Sequence, residues 1–135
     1  MGDTVNFASR LEGANKAYGT NLLIDGATHD MAGEAIETRD IDLIGVVGRD
    51  EPVRVYELAA MAGELPPEKR QLFDLYAEGL AHYRAANWVK ADAALRRAVS
   101  FAPEDGPSST LLRRVERFRE EAPADWSGIW RMMEK

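Results

Sequence analysis

Asn6 and Arg10 stand four residues apart in the stretch Gly2-Asp3-Thr4-Val5-Asn6-Phe7-Ala8-Ser9-Arg10-Leu11-Glu12. On a helix that spacing puts both side chains on one face. The amide offers neutral hydrogen bonds, and the guanidinium offers a permanent positive fork suited to phosphate oxygens. Gly13 and Ala17 continue the face with small residues, leaving room beside the pair. Such a pair can hold a nucleotide's sugar and stabilise charge on a phosphorus in transit. An Asn and an Arg one turn apart also make an ordinary solvated helix surface, so spacing alone leaves both readings open.

The elements that must carry this pair follow from pattern. Asp3 or Thr4 can cap a helix running to about Tyr18, with Phe7, Leu11, Ala14 and Tyr18 as its apolar stripe. Gly19 can close it in a left-handed conformation. Asn21 to Asp25 reads as a short buried strand, and Thr28 to Ala32 as a short helix. Ile36 to Val47 alternates in part (Ile41, Leu43, Gly45, Val47), and Val53 to Leu58 alternates cleanly. Gly48-Arg49-Asp50-Glu51-Pro52 between them supplies turn chemistry, so an antiparallel hairpin is expected. Two or three strands and a helix are too few for an independent core. Residues 1–62 therefore look like part of a sheet domain.

Met61-Ala62-Gly63-Glu64-Leu65-Pro66-Pro67 breaks both helix and strand. Beyond it the period is helical: Glu68 to Ala85, Trp88 to Phe101, and a third helix capped by Ser108 or Ser109 and reaching about Glu121. Leu72, Leu75, Tyr76, Gly79, Leu80 and Tyr83 line the first of these helices. Asp125 to Trp130 forms an aromatic-rich tail. Gly79, Ala91, Ala98 and Pro103 are spaced 12, 7 and 5 apart. Small residues there allow two antiparallel helices to approach closely, and the spacing resembles a tetratricopeptide repeat of about 34 residues. Residues 63–135 thus read as an all-α, repeat-like extension. It is either a docking groove for a peptide or protein partner or a small helical buttress. Arg96, Arg97, Arg113, Arg114, Arg117 and Arg119 alternate with Glu116, Glu120 and Glu121, which predicts a solvated, salt-bridged face.

Composition narrows the classes. Seventeen basic and 23 acidic residues among 135 give −6. Residues 1–62 hold five basic and eleven acidic residues, so the whole excess lies there, and residues 63–135 balance. A net-acidic chain without a basic block argues against nucleic-acid binding. No apolar run approaches the roughly 18 residues of a membrane span, and the N-terminus is no signal peptide. The absence of cysteine removes disulfides, thiol catalysis and zinc–thiolate sites. The chain reads as cytosolic, or as the cytosolic end of a longer, membrane-anchored protein.

Gly2 to Glu12 resembles the G-x-x-V-N-x-A-x-R-L-E signature of class III adenylate and guanylate cyclases. The resemblance continues through Tyr18-Gly19, Leu22–Asp25, Ala27-Thr28 and Arg39-Asp40-Ile41-Asp42, then Val47-Gly48-Arg49 and Glu51-Pro52-Val53-Arg54-Val55-Tyr56-Glu57-Leu58. It covers nearly all of residues 1–60. The tail, with its single repeat-like unit, Pro103, Asp125-Trp126 and Trp130, resembles the helical extension after the catalytic domain in many bacterial members. The resemblance implies an α+β fold: a partial ferredoxin-like cyclase domain followed by the helical extension.

It also implies a reaction, a phosphorus–oxygen lyase step in signalling. The ribose 3′-hydroxyl of ATP or GTP attacks the α-phosphorus, pyrophosphate leaves, and a 3′,5′-cyclic monophosphate forms. Mg²⁺ or Mn²⁺, held by two aspartates, assists, and the site lies at the interface of a homodimer. By the same resemblance Asn6 orients the ribose and Arg10 stabilises the transition state at phosphorus. Val47 stands where many members carry a lysine for the terminal phosphates, and Arg49 is the substitute in reach. The sequence starts at the signature, so the metal aspartates and base-selecting residues are expected upstream, with no metal ligand here. Asp3 reads as a cap, and Asp40 and Asp42 as strand or turn residues. The expectation is a C-terminal part of a cyclase, inactive alone. The alternative is a non-catalytic regulatory or interaction module with a cyclase-derived half.

Overall fold

The strongest β signal lies around Val53-Arg54-Val55-Tyr56, where β-branched and aromatic residues alternate with polar ones. In the computed structural model, which describes residues 14–15, 18–20, 22–45 and 51–131, this stretch is the centre of a four-stranded sheet. The strands are β1 (Leu23–Asp25), β2 (Ile36–Gly45), β3 (Val53–Met61) and β4 (Trp130–Arg131), in the order β1-β3-β2-β4. β1–β3 and β2–β3 pair antiparallel, and β4 pairs parallel to the end of β2 through Ile44↔Trp130 and Gly45↔Arg131. The chain divides into two compact units, Met1–Glu64 with Trp130–Lys135, and Leu65–Ile129. Trp130, expected in the helical tail, thus belongs with the sheet.

The expected hairpin is present with shifted ends. β2 stops at Gly45 among the described residues, and β3 runs past Leu58 to Met61 because Ile36 and Glu37 provide partners for Met61 and Ala60. Two register shifts interrupt the ladder, between Glu37 and Thr38 and between Asp40 and Asp42. The second decides which residues are inside. Arg39 faces Glu57 and Asp42 faces Val55, so Ile41 is the extra residue of a β-bulge. Without it Arg39 and Asp42 would point to opposite faces. With it both share the face of Leu23, Val55 and Ile44, all buried.

That face meets a helix. Ala14, Asn15 and Tyr18 are helical, and Ala14 and Tyr18 are each 1% exposed. Phe7 and Leu11 of the expected stripe lie outside the described residues. Gly19 follows at φ 69°, the left-handed conformation that ends a helix without a Cβ clash. The Thr20 N–H donates to the Asn15 carbonyl at 3.0 Å, and its hydroxyl to Asn15 Oδ1 at 2.9 Å. The short helix α1 (Gly26–Ala32) starts two residues earlier than Thr28 because Asp25 caps it, accepting the Thr28 N–H at 2.9 Å.

The second unit holds α2 (Pro67–Arg84), α3 (Trp88–Phe101) and α4 (Gly106–Glu120). Pro67 opens α2, where its missing N–H costs nothing. Asp105, not Ser108 or Ser109, caps α4: its carboxylate accepts the Ser108 N–H at 3.1 Å and the Ser108 hydroxyl at 2.6 Å. Leu72, Tyr76, Leu80 and Tyr83 are buried, and Leu75 is partly buried against Leu72, Ala98 and Ala102. Tyr83, Trp88, Phe118 and Trp126 form an aromatic cluster with ring centroids 5.0–6.5 Å apart, and Trp126 Nε1 donates to the Tyr83 carbonyl at 2.9 Å.

Gly79 explains how closely α2 and α3 approach. A Cβ there would stand 2.6 Å from Leu95 Cγ, and Ala91 and Ala98 are fully buried. Gly79→Ala should lower the stability of this unit by about 1–3 kcal/mol despite the better helix propensity of alanine, through overpacking. Thermal unfolding followed by Trp88 and Trp126 fluorescence checks this. No described helix is long and apolar enough to cross a membrane.

Candidate functional site

Asn6 and Arg10, the two residues singled out for chemistry, lie outside the described residues, as do Asp3 and Arg49. Among the described residues are the covered sheet face and the helical residues Ala14, Asn15 and Tyr18.

Two polar pairs occupy that face. Tyr18 donates its hydroxyl to Asp42 Oδ2 at 2.5 Å, and the Leu43 N–H donates to Asp42 Oδ1 at 2.7 Å. Asp42 is 0% exposed, so hydrogen bonds must replace the water its carboxylate has lost. Arg39 donates through Nε (2.9 Å) and Nη2 (2.5 Å) to Glu57 Oε1 across the β2–β3 ladder, its side chain 3% exposed against 22% for Glu57. On the opposite face Arg54 Nη1 donates to Asp40 at 2.8 Å, and His29 stacks flat on Tyr56 with centroids 3.9 Å apart. A cleft of about 360 Å³ lined by Asp25, Gly26, Ala27, Glu51, Pro52, Val53 and Arg54 opens at the root of the hairpin turn.

The strand assignment of Asp40 and Asp42 therefore stands, and their carboxylates are already engaged. Asp42 serves a tyrosine and a backbone amide, and Asp40 serves Arg54, so neither donor set suits a divalent ion. Among the described residues no group of three or more His, Asp or Glu side chains is placed to hold a metal. The buried role of Arg39 went unread in the sequence. A charged residue opposite Glu57 on the partner strand was the available signal, and the bulge hid it.

The arginines of the helical unit do not act alike. Asp92, 4% exposed and absent from the expected face, receives Arg96 Nε at 2.6 Å and Arg119 Nη1 at 3.2 Å. Arg96 also reaches Glu116 at 2.7 Å. The hydrogen bond and charge of Asp92, with help from Glu116, raise the Arg96 pKa above its ordinary value. This part is the expected salt-bridged face. Arg114 departs from it: it is buried and donates to the Tyr83 hydroxyl at 3.3 Å, because its position on α4 faces the aromatic cluster.

Over 61 residues the chain is 41% identical to adenylate cyclase 1 of Rhizobium meliloti (strain 1021), covering 45% of this chain and 9% of that protein. The chain is similar to adenylate cyclases. An adenylate cyclase of Anabaena cylindrica is 41% identical over 63 residues, covering 44% of this chain and 12% of its own length. The terminal-differentiation-specific adenylate cyclase of Dictyostelium discoideum is 28% identical over 120 residues, 84% of this chain and 6% of that protein. A match covering 84% of the chain necessarily includes residues of both units. The chain spans between 6% and 12% of the length of these relatives. No family model matches, and no solved structure matches.

Proposed function

We propose that this chain is the C-terminal part of a class III adenylate cyclase catalytic domain with a tetratricopeptide-like helical extension. Completed by the rest of the domain, it takes part in converting ATP to 3′,5′-cyclic AMP and pyrophosphate. The observation that carries the reading is the ordered run of signature residues from Gly2 to Leu58, in a chain 41% identical over 61 residues to a named adenylate cyclase. The relatives' names favour ATP over GTP.

In this reading Asn6 orients the ribose, Arg10 meets the charge developing at the α-phosphorus, and Arg49 meets the terminal phosphates from the β2–β3 turn. Mg²⁺ or Mn²⁺ supplies Lewis-acid assistance to the nucleophile and leaving group. In this reading its ligands belong to the rest of the catalytic domain. Two such domains form the homodimer that completes each site. The close approach of α2 and α3 at Gly79 and Leu95 supports the repeat-like reading of the extension. The cytosol is the compartment that fits an ATP-consuming domain without cysteine.

The second reading is a non-catalytic interaction module. It has one observation in its favour, an apolar cleft of about 460 Å³ on the helical unit lined by Pro66, Leu72, Phe101 and Ala102 among others.

The isolated 135-residue chain, incubated with ATP and Mn²⁺, is expected to form no cyclic AMP, because it brings only the transition-state half of the site. Substantial turnover by the purified chain would overturn the division of labour.

A further inference from the structure

We infer that β4 is a strap that couples the two units: it stays docked on the end of β2 only while the chain just before it is held by the helical unit. The strap is the pair Trp130–Arg131, at one end of the strand order, in parallel register with Ile44 and Gly45. This coupling is independent of the cyclase reading.

A strand of two residues does not hold itself. It adds a minimal ladder at a sheet edge, in the parallel pairing that is the weaker per residue. Arg131 is exposed and Trp130 only half-buried, so side-chain burial adds little.

What holds the chain lies immediately before the strand. Trp126 sits in the aromatic cluster of the helical unit, its ring centroid 5.0 Å from Tyr83, 5.6 Å from Trp88 and 5.4 Å from Phe118, and its indole N–H donates to the Tyr83 carbonyl at 2.9 Å. Gly128 is buried at φ 84°, a conformation that residues with a Cβ rarely adopt, and a Cβ there would stand 3.7 Å from Arg84 Cγ. Trp126 and Gly128 belong to the helical unit and Trp130 to the sheet unit, with Ile129 the residue between Gly128 and Trp130. Fixing Trp126 and Gly128 therefore removes in advance much of the conformational freedom that Trp130 and Arg131 lose on pairing. On a long flexible leash the same two residues would bear that loss in full. Docking of β4 and closure of the aromatic cluster thus reinforce each other. An event that opens the cluster frees β4, and with it the end of β2.

The test uses the whole chain labelled with 5-fluorotryptophan, whose three tryptophans give three fluorine resonances, that of Trp130 being assigned by Trp130→Phe. Two variants loosen the leash in different ways. An insertion of about eight Gly and Ser residues between Ile129 and Trp130 alters no side chain of either unit and lowers the effective concentration of β4. Trp126→Ala removes the anchor itself. In both, the Trp130 resonance should move to its position in the urea-unfolded chain, the docked-to-free ratio falling about tenfold or more. Amide exchange at Ile44 and Gly45 should quicken by a similar factor in the insertion variant, while the Trp88 and Trp126 resonances and the exchange at Tyr56 stay as in the wild type. A Trp130 resonance that keeps its native position in both variants would show that β4 docks by its own contacts and would overturn the inference. So would a wild-type resonance already at the unfolded position, or unchanged exchange at Ile44 and Gly45 once the Trp130 resonance has moved.

Discussion

Arg10→Ala, made in the longer polypeptide with a complete catalytic domain, is expected to lower kcat for cyclic AMP formation by about 100-fold or more while KM for ATP stays within a few-fold. The guanidinium acts where charge accumulates as the ribose oxygen approaches the α-phosphorus. It is worth more there than in the ground state, so its loss appears in kcat rather than in binding. Arg10→Lys should recover little, because an ammonium cannot reproduce the planar, two-pronged donation of a guanidinium. Asn6→Ala should fall in the same direction, through ribose orientation. Steady-state kinetics of the three variants beside the wild type check this. A fall in affinity with kcat untouched would place Arg10 outside the transition state.

The second large effect is on stability. Glu57→Ala removes the carboxylate that receives both Nε and Nη2 of Arg39, whose side chain is 3% exposed. Breaking one partner of a buried pair leaves charge in a low-dielectric face, and the expected loss is about 2–4 kcal/mol, reduced from the deep-interior range because Glu57 retains some solvent. The double change Arg39→Met/Glu57→Leu should recover most of it, since apolar residues can fill the same face. The two units allow the site of damage to be read. In an amide NMR spectrum of the chain, signals from β2 and β3 should weaken in Glu57→Ala while those of α2 to α4 persist. A loss below about 0.5 kcal/mol would make the pair a solvent-screened contact.

The helical half was largely legible because its signals are local. The 3.6-residue period and the punctuation at Pro66-Pro67 and Pro103 reproduce Trp88–Phe101 as expected and Pro67–Arg84 to within one residue at each end. Gly79 could be assigned to close helix packing because only a missing Cβ admits Leu95 there. The sheet was legible in its strands and less so in its faces. Alternation in β2 suggested Ile41 and Leu43 inside, whereas the bulge buries Ile41, Asp42 and Ile44 and leaves Leu43 half-buried. A bulge depends on the partner strand and has no marker at Ile41 itself. The pairing of Trp130 with Ile44 joins residues far apart in sequence through two positions, too short a strand to announce itself. Arg114 looked like one more member of a basic face, and only the placement of Tyr83 shows why it is inside. Asn6, Arg10 and Arg49 were singled out by motif, and their assignments rest there.

The most direct test is product analysis of the longer polypeptide incubated with ATP and Mn²⁺, separating adenine nucleotides and assaying pyrophosphate. 3′,5′-cyclic AMP and pyrophosphate in equal amounts, both lost in Arg10→Ala, is the predicted result. No cyclic AMP from the wild type, or cyclic AMP formed at an undiminished rate by Arg10→Ala, would contradict it.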